Sequence, residues 1–263
     1  MIFDTHAHYD DEAFDSDRRE LLLSMKENGI SHIVNVGANI ATTQNTLKLI
    51  KEYPFMYGAV GVHPSDTAEL DGEKLAWLKD AAQLPKVVAI GEIGLDYYWE
   101  EPEHELQKKW FRAQLGLAED LQLPVIIHSR EAANDTYEIM CECSAERLGG
   151  IVHCYSYSPE MAAKFLDMGF YLGIGGVITF KNARKLKETV KYAPLDRLVL
   201  ETDCPYLAPE PNRGKRNSSL NLPYVARAVA EIKNVEYDEV IETTFKNAMA
   251  VYRLKEKEAA WQI

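Results

Sequence analysis

The segment that decides the fold is residues 2–10, IFDTHAHYD. Its apolar start predicts a β-strand over residues 2–8, with His6 and His8 at the carboxyl end. An open, doubly wound α/β sheet would normally place a glycine-rich turn after its first strand. Here the strand runs directly into THAHYD, which favours a closed barrel over that alternative.

The rest of the chain repeats this strand signal. Short apolar runs rich in β-forming residues recur at roughly 30-residue intervals, and stretches with helical periodicity follow them. The eight predicted strands cover residues 2–8, 32–36, 56–62, 87–93, 124–128, 150–153, 170–174 and 197–201. We therefore predict an α/β fold, a (β/α)8 TIM barrel. Since no internal repeat, proline-rich linker or low-complexity tract interrupts the chain, we expect one domain over residues 1–263.

Helix signals occupy the gaps between these strands. Residues 15–28 form a predicted helix that ends before Gly29, and residues 103–121 form another that precedes Leu123-Pro124. Two further helices, over residues 222–233 and 237–254, are expected to complete the outer layer.

The composition limits the possible functions. A formal net charge of −12 opposes broad electrostatic capture of duplex nucleic acid, so any contact with nucleic acid must be local. The amino terminus lacks a basic stretch followed by an apolar run, and no segment approaches the length of a membrane span. We expect a cytoplasmic protein with reduced cysteines, no membrane contact and no obligate protein partner.

Histidines and acids gather at the ends of the predicted strands. Five of the seven histidines lie at or just beyond a carboxyl end: His6, His8, His63, His128 and His153. Glu92 and Asp203 occupy equivalent positions. In a (β/α)8 barrel all carboxyl ends meet at one face, so these residues are expected to converge there.

Such a convergence indicates a metal centre. His6 and His8 lie two apart on a strand and point the same way, although strand histidines also satisfy hydrogen bonds within protein cores. Four imidazoles and two carboxylates that face one another need compensation for their desolvation, which cations supply. Imidazole with carboxylate suits zinc, manganese or iron. We expect two divalent ions, with Mg²⁺, Mn²⁺ or Zn²⁺ as candidates, and the predicted ligands are His6, His8, Glu92, His128, His153 and Asp203.

Two of these acids have predicted roles beyond simple ligation. Glu92 is the predicted bridge between the ions, because Gly91 and Gly94 leave room beside it; the alternative is a buried acid paired with arginine. Asp203 is the predicted general base, which touches one metal and accepts a proton from water. Glu201 either orients a ligand or forms a structural salt bridge.

Six motifs, in their order along the chain, closely resemble the TatD family of metal-dependent deoxyribonucleases, within the amidohydrolase-like barrels. They are FDTHAHYDDEAFD, VGVHPSD, AIGEIGLDYY, PVIIHSREA, IVHCYS and LVLETDCPYLAP. The resemblance covers nearly the whole chain. It implies a divalent-metal phosphodiesterase that removes nucleotides from DNA, typically as a 3′-to-5′ exonuclease on single-stranded or frayed ends.

The resemblance also implies how the site residues are divided. It places one metal on His6, His8, Glu92 and Asp203, and the other on Glu92, His128 and His153. It implies that His63 contacts the scissile phosphate and so joins Asp203 and Glu92 as a catalytic residue; a simple turn histidine is the other interpretation. The chain departs from the family pattern at Tyr157, where relatives commonly have glycine, and at Ser218, where many have an acid. Neither departure removes a predicted ligand.

The predicted substrate contacts lie in loops that follow the strands. Arg130 suits a nonbridging phosphate oxygen because a guanidinium matches that geometry, with a salt bridge to Glu131 as the alternative. Arg213 and Arg216 belong to a basic cluster after the eighth strand. Aromatic residues 97–99, 155 and 157 either stack unpaired bases or pack their loops. A second basic cluster is a phosphate site or a solvated helix face, and it comprises Lys181, Arg184, Lys185 and Lys187.

Two histidines, His32 and His104, are predicted to be ordinary surface residues. The ligand set alone does not distinguish attack on phosphorus from attack on carbon, so hydrolysis of an amide, a lactone or an aminoacyl-tRNA ester is the main alternative function. The basic loops favour phosphate. A non-catalytic scaffold with a vestigial metal pocket is a third hypothesis, which the completeness of the predicted site disfavours.

Overall fold

Eight parallel β-strands form the centre of the protein, in a computed structural model that describes residues 1–254. The strands are β1 (Ile2–Ala7), β2 (Ile30–Val36), β3 (Met56–Val60), β4 (Val87–Asp96), β5 (Val125–Arg130), β6 (Gly150–Val152), β7 (Tyr171–Ile174) and β8 (Leu198–Leu200). Each strand pairs with its neighbour in sequence. With helices between the strands, this order confirms the predicted (β/α)8 barrel. Residues 255–263 of the predicted domain lie outside the described part of the chain.

The barrel closes between β1 and the segment that follows β8. Ala7 forms an isolated parallel bridge with Cys204. The backbone N–H of His8 donates to the Cys204 carbonyl at 2.9 Å, and that of Asp203 donates to the His6 carbonyl at 2.9 Å. The first strand and the segment after the last strand therefore meet at the carboxyl face. The first and the last predicted ligands, His6 and Asp203, lie at this junction.

The described helices cover the outside of the barrel. They are α1 (Arg18–Ser24), α2 (Ile40–Glu52), α3 (Gly72–Ala82), α4 (His104–Leu121), α5 (Ala133–Glu142), α6 (Pro159–Asp167), α7 (Arg184–Tyr192), α8 (Leu222–Lys233) and α9 (Tyr237–Val251). The predicted bounds of α8 are confirmed, whereas α9 ends three residues before the predicted position. No helix between residues 1 and 254 is at once long and apolar enough to cross a membrane.

The single helix predicted over residues 15–28 is wrong. The segment is divided into short 3₁₀ turns (Glu12–Phe14 and Lys26–Asn28) on either side of α1. Asp17 interrupts the helical backbone with φ −145° and ψ 9°. Its carboxylate binds the guanidinium of Arg216 from a distant loop, at 2.5 Å. A tertiary ion pair at the start of α1 accompanies the break, and local helix propensity does not report such a contact.

A small hydrophobic cluster lies directly beneath the carboxyl face. It contains Ile126, Ile151 and Val199, which precede His128, His153 and Glu201 by two residues each. Since alternate residues of a strand share a face, this cluster forms the layer below the predicted site. Helix α9 contributes the side chains of Ala248, Met249 and Val251 to the same cluster.

His32 belongs to this interior and not to the surface, so that prediction is wrong. The side chain is 1% exposed. Its ring stacks on Phe3 at a centroid distance of 5.0 Å and on Tyr57 at 5.9 Å. Burial lowers the pKa of His32 to about 4. Phe3 and Tyr57 belong to neighbouring strands that are distant from His32 in sequence. A local sequence pattern around His32 therefore does not reveal this packing. His104, by contrast, is exposed as predicted and stacks on Tyr97.

Candidate metal centre

Glu92 lies in the middle of the carboxyl face and is 4% exposed. Its Oε1 lies 2.8 Å from His128 Nδ1 and 2.9 Å from His153 Nε2. Its Oε2 lies 3.3 Å from His6 Nε2 and 3.8 Å from His8 Nε2. Within residues 1–254 every ion-pair partner of Glu92 is a histidine, so the arginine-paired alternative is not what the structure shows. The carboxylate separates the predicted ligands into two groups.

Glycines bring Glu92 close to its partners. A Cβ at Gly91 would lie 2.6 Å from the Cβ of Ile126 in β5. A Cβ at Gly94 would lie 1.9 Å from the carbonyl oxygen of His128, and Gly94 also has a φ of +144°. Only glycine allows β4 to approach β5 this closely without a backbone shift. The close approach sets the carboxylate of Glu92 against the His128 ring.

The first group joins His6 and His8 of the β1 end with Asp203 after β8. The two Nε2 atoms lie 3.1 Å apart. Asp203 Oδ1 lies 3.3 Å from His8 Nε2 and 3.8 Å from His6 Nε2. Donors around a tetrahedral cation with bonds of about 2.0–2.2 Å lie roughly 3.3–3.6 Å apart. The spacing of these donor atoms therefore fits a shared cation.

Hydrogen bonds orient the His8 ring in this group. His8 Nδ1 lies 2.8 Å from the carbonyl oxygen of Val36, which can only accept. Nδ1 therefore carries the proton, and the lone pair of Nε2 faces the site in the neutral ring. Metal-binding histidines in proteins are commonly held in this way.

The second group contains His128 and His153. His153 Nδ1 lies 3.4 Å from Glu201 Oε1 but lacks good hydrogen-bond alignment. Glu201 is fully buried, and its Oε1 accepts from the backbone N–H of Cys154 at 2.5 Å. The other nitrogen of His128, Nε2, lies 3.0 Å from Asp96 Oδ2. Carboxylates thus lie beside both imidazoles, and the contact of Glu201 with His153 is an ion-pair distance without an aligned hydrogen bond.

His63 differs from these histidines in its hydrogen bonding. Its Nδ1 accepts from the backbone N–H of Ser65 at 3.1 Å. The neutral ring must therefore carry its proton on Nε2, which lies 3.8 Å from Glu92 Oε1. His63, Glu92 and His128 also form a cluster with donor atoms within 4.8 Å of one another. In the tautomer that the backbone dictates, however, His63 offers the site a hydrogen-bond donor.

Charge and burial oppose each other throughout the centre. Burial raises the pKa of Glu92, but the charges of His153 and His6 outweigh burial and hold that pKa well below its ordinary value. Burial also raises the pKa of Asp203, which the hydrogen bond from His8 reverses, so its net pKa is lowered. Burial lowers the pKa of His153, yet Glu92 and Glu201 bring it well above its ordinary value. Protons on His8, His128 and His153, whose pKa values are raised, compensate the buried carboxylates, whereas burial lowers the pKa of His6. Divalent cations with this donor set would supply the same compensation.

A buried acid that the sequence reasoning missed supports the seam between β1 and β8. Asp4 is fully buried. Its carboxylate accepts from the backbone N–H of His6 at 3.3 Å and of Thr202 at 3.0 Å. It also accepts from the hydroxyls of Thr202 at 2.7 Å and Ser219 at 2.6 Å. A charged residue inside the apolar start of IFDTHAHYD was the available signal, because such a residue needs several donors when buried.

The centre opens into a cleft of ≈ 780 Å³. Arg130 lines this cleft, and its guanidinium lies 3.7 Å from the ring centre of Tyr98. It forms no ion pair within residues 1–254, so the alternative of a salt bridge to Glu131 or a neighbour is not what the structure shows. Trp99 and Tyr206 lie at the same cleft. Tyr206 is a second residue that the sequence reasoning missed, although it follows Asp203 by only three positions.

The other predicted substrate residues lie elsewhere. Arg216 makes a two-pronged ion pair with Asp17, at 2.7 and 2.5 Å, and lines a neighbouring groove. The guanidinium of Arg213 lies 4.2 Å from the ring centre of Phe180. Neither arginine is among the residues that line the cleft. In the second basic cluster, Arg184 pairs with Glu188 on the exposed face of α7, which favours the solvated-face interpretation.

The two departures from the family pattern make hydrogen bonds with nearby residues. Tyr157 Oη lies 3.0 Å from Ser129 Oγ and accepts from the backbone N–H of Ala132 at 3.3 Å. Tyr155 is 2% exposed. The N–H of Ser218 donates to the side chain of Asn217 at 2.9 Å. These tyrosines pack their loop and do not line the cleft, so they are not available for stacking bases.

A parallel barrel whose strand ends bring imidazoles and carboxylates to one face is the architecture of a metal-dependent hydrolase. The chain belongs to the family of TatD related DNases, which it matches over residues 3–253. It is 45% identical over 254 residues to the metal-dependent hydrolase YabD of Bacillus subtilis, with 97% of this chain and 100% of that protein covered. It is 32% identical over 259 residues to the 3′-5′ ssDNA/RNA exonuclease TatD of Erwinia tasmaniensis, with 96% and 100% covered.

The fold agrees with this assignment. The crystal structure of YjjV, a TatD homologue from Escherichia coli, matches with a TM-score of 0.91 at 30% sequence identity, over 97% of this chain and 98% of that one. The predicted family is therefore confirmed, and the protein is a metal-dependent hydrolase of the TatD family.

Proposed function

We propose that this protein hydrolyses phosphodiester bonds in DNA with two divalent cations, as a 3′-to-5′ exonuclease on single-stranded or frayed ends. The observation that carries the proposal is that the two oxygens of Glu92 face different ligand groups. Oε2 faces His6, and Oε1 faces His128 and His153. Two-cation sites of this kind suit in-line displacement at phosphorus, where attacking and leaving oxygens both need stabilisation.

The proposed ligands follow the two groups. One cation is held by His6, His8, Glu92 and Asp203, and the other by Glu92, His128 and His153. When bound, such cations polarise the phosphate and lower the pKa of a water molecule in the cleft. Magnesium, manganese and zinc are the candidates, because this donor set accommodates each of them.

Three side chains perform the remaining steps in this proposal. Asp203 accepts the proton of the attacking water at its carboxylate. His63 donates a hydrogen bond from its Nε2–H to a nonbridging oxygen of the scissile phosphate. Arg130 offers a guanidinium to the same phosphate or its neighbour.

Several features support DNA as the substrate. The family is named for DNases, and a relative carries the name of a 3′-5′ ssDNA/RNA exonuclease. The cleft has an arginine without a carboxylate partner among the described residues, which suits phosphate better than an uncharged ester. Exposed aromatic rings at its mouth suit unpaired bases.

The direct test uses single-stranded DNA labelled at its 5′ end. The protein is stripped with a chelator and then supplied with Mg²⁺, Mn²⁺ or Zn²⁺. We expect a ladder of labelled products that shortens from the 3′ end, and no cleavage of circular single strands. Glu92→Gln should abolish the ladder, whereas Glu146→Gln, at an exposed position far from the cleft, should leave it unchanged.

The same panel tests the carbonyl alternative. RNA, aminoacyl-tRNA and small lactones are offered under identical metal conditions. Turnover of an aminoacyl ester or lactone without any DNA product would overturn the proposal in favour of that alternative. An undiminished ladder from Glu92→Gln would overturn the proposed ligand set while leaving the substrate assignment intact.

A further inference from the structure

Exposed aromatic side chains gather around the metal cleft. Four aromatic rings of the described chain are at least half exposed: Tyr98 (50%), Trp99 (55%), Tyr192 (55%) and Tyr206 (56%). Three of them lie in the loops after β4 and β8, at the carboxyl face. These strands stand four places apart in the eight-strand order, so their loops face each other across the barrel. Exposed rings on opposite sides of one cleft indicate a surface that binds flat apolar groups.

Tyr206 is held firmly in this exposed position. Its backbone N–H donates to the carbonyl of Asp203 at 2.9 Å, which fixes the turn that carries the ring. Its hydroxyl donates to Asp11 Oδ2 at 3.0 Å. Asp11 is itself fixed, because its Oδ1 accepts from the backbone N–H of Ala13 at 2.8 Å. The ring is therefore preorganised beside the proposed general base.

The ring also stands between two hollows. The metal cleft and a neighbouring groove of ≈ 800 Å³ share three lining residues, namely Asp11, Glu12 and Tyr206. Gly214 and Lys215 line the far part of the groove. A chain of nucleotides that leaves the metal cleft through this groove must pass the face of Tyr206.

Electrostatics alone would hold such a chain weakly. Arg130 and Lys215 are the cations along this route that have no carboxylate partner within residues 1–254, because Arg216 is paired with Asp17. Acids outnumber them along the same walls, including Asp10, Asp11, Glu12 and Asp66. The phosphates therefore find few partners outside the metal centre, and the ring faces provide the remaining attraction.

We propose that Tyr206 is a stacking platform for an unpaired nucleobase next to the scissile phosphodiester, with the neighbouring groove as the path of the adjoining nucleotide. This inference rests on the proposed nuclease function and specifies how its substrate is recognised. It favours single strands, since both faces of a base inside a duplex are covered by its stacked neighbours.

The test compares Tyr206→Ala, Tyr206→Phe and wild type on a single-stranded decanucleotide and on copies with one abasic site at successive positions from the 3′ end. We expect Tyr206→Ala to raise KM by about 5- to 150-fold, the effect of one lost base stack. Tyr206→Phe keeps the ring and should stay within about twofold of wild type. Tyr192→Ala removes an equally exposed tyrosine at the end of α7, outside the cleft, and should change nothing.

The abasic series identifies stacking itself. At one position the missing base should raise the wild-type KM but have no further effect on Tyr206→Ala. An equal rise of KM in Tyr206→Phe and Tyr206→Ala would show that Tyr206 acts through its hydrogen bond with Asp11, and would overturn the inference. A rise of KM in Tyr206→Ala that is the same at every abasic position would also overturn it. A wild-type enzyme that leaves all the oligonucleotides intact but hydrolyses a carbonyl substrate would instead overturn the proposed function, and this inference with it.

Affinity should also respond weakly to salt. Single-stranded substrates lose affinity with a logarithmic slope of about −0.7 per neutralised phosphate. With two unpaired cations along the route, we expect a slope no steeper than about −2 when KM is measured over a range of KCl concentrations. A much steeper slope would show that phosphates, and not bases, provide the attraction.

Discussion

His32→Phe should make the stability of this protein less sensitive to acid. The His32 ring is buried between Phe3 and Tyr57, in the layer beneath the metal centre. Burial lowers its pKa from 6.5 in the unfolded chain to about 4. The folded state therefore binds fewer protons than the unfolded state between these values, so the contribution of His32 is complete above pH 6.5 and is lost as the pH falls toward 4.

The magnitude follows from the size of this shift. Each pKa unit corresponds to about 1.4 kcal/mol, so the whole shift of His32 corresponds to about 3 kcal/mol. Between pH 7 and pH 5, about 2 kcal/mol of this amount should be lost. Phenylalanine keeps an aromatic ring in the stack and cannot be protonated, so the variant should lose less stability than wild type by this difference.

The measurement is urea unfolding of both proteins at pH 7, 6 and 5, in the presence of a chelator. Protonation of the other histidines contributes equally to both proteins and cancels in the difference. A constant offset between the two stability curves is expected from altered packing and carries no information. Curves that stay parallel from pH 7 to pH 5 would refute the burial argument, because His32 would then titrate equally in both states.

Three further outcomes follow from the site. Gly94→Ala should lower the free energy of unfolding by at least about 2 kcal/mol, because the new Cβ meets the His128 carbonyl. The control Gly116→Ala in α4 has open space and should raise the free energy of unfolding by up to about 1 kcal/mol, as measured by urea unfolding of both variants. Asp4→Ala leaves the buried backbone N–H of His6 without its acceptor and should lower the free energy of unfolding by about 1–3 kcal/mol. Asp4→Asn should lower it by less, since an amide oxygen can still accept; a thermal melt that leaves the Ala variant unchanged would contradict this. His63→Ala should lower kcat on DNA by about 10²–10³-fold with the metal content unchanged, and loss of a metal ion by elemental analysis would show that His63 is a ligand instead.

The sequence was most informative where a strand ends. Apolar runs located all eight strands, and the strand ends predicted which side chains would meet: His128 and His153 lie 2.8 and 2.9 Å from Glu92 Oε1, and Asp203 Oδ1 lies 3.3 Å from His8 Nε2. This works because barrel topology alone brings the carboxyl ends of parallel strands together. Neither the loop conformation nor the side-chain rotamers need to be known.

Contacts between distant loops were beyond local patterns. The ion pair of Asp17 with Arg216 joins positions 199 residues apart and coincides with the break in the predicted helix. Tyr206 was missed for a similar reason, since its exposure depends on the turn after Asp203 and on Asp11 from another loop. Such features follow from tertiary structure and have no periodic signal.

The joining of β1 to the segment after β8 has a consequence during protein synthesis. Asp203 is synthesised about 10–40 seconds after His6 at ordinary rates of elongation. A nascent chain that stops before the eighth strand thus lacks both the last proposed ligand and the backbone partners of His6 and His8. Truncated translation products should consequently be inert.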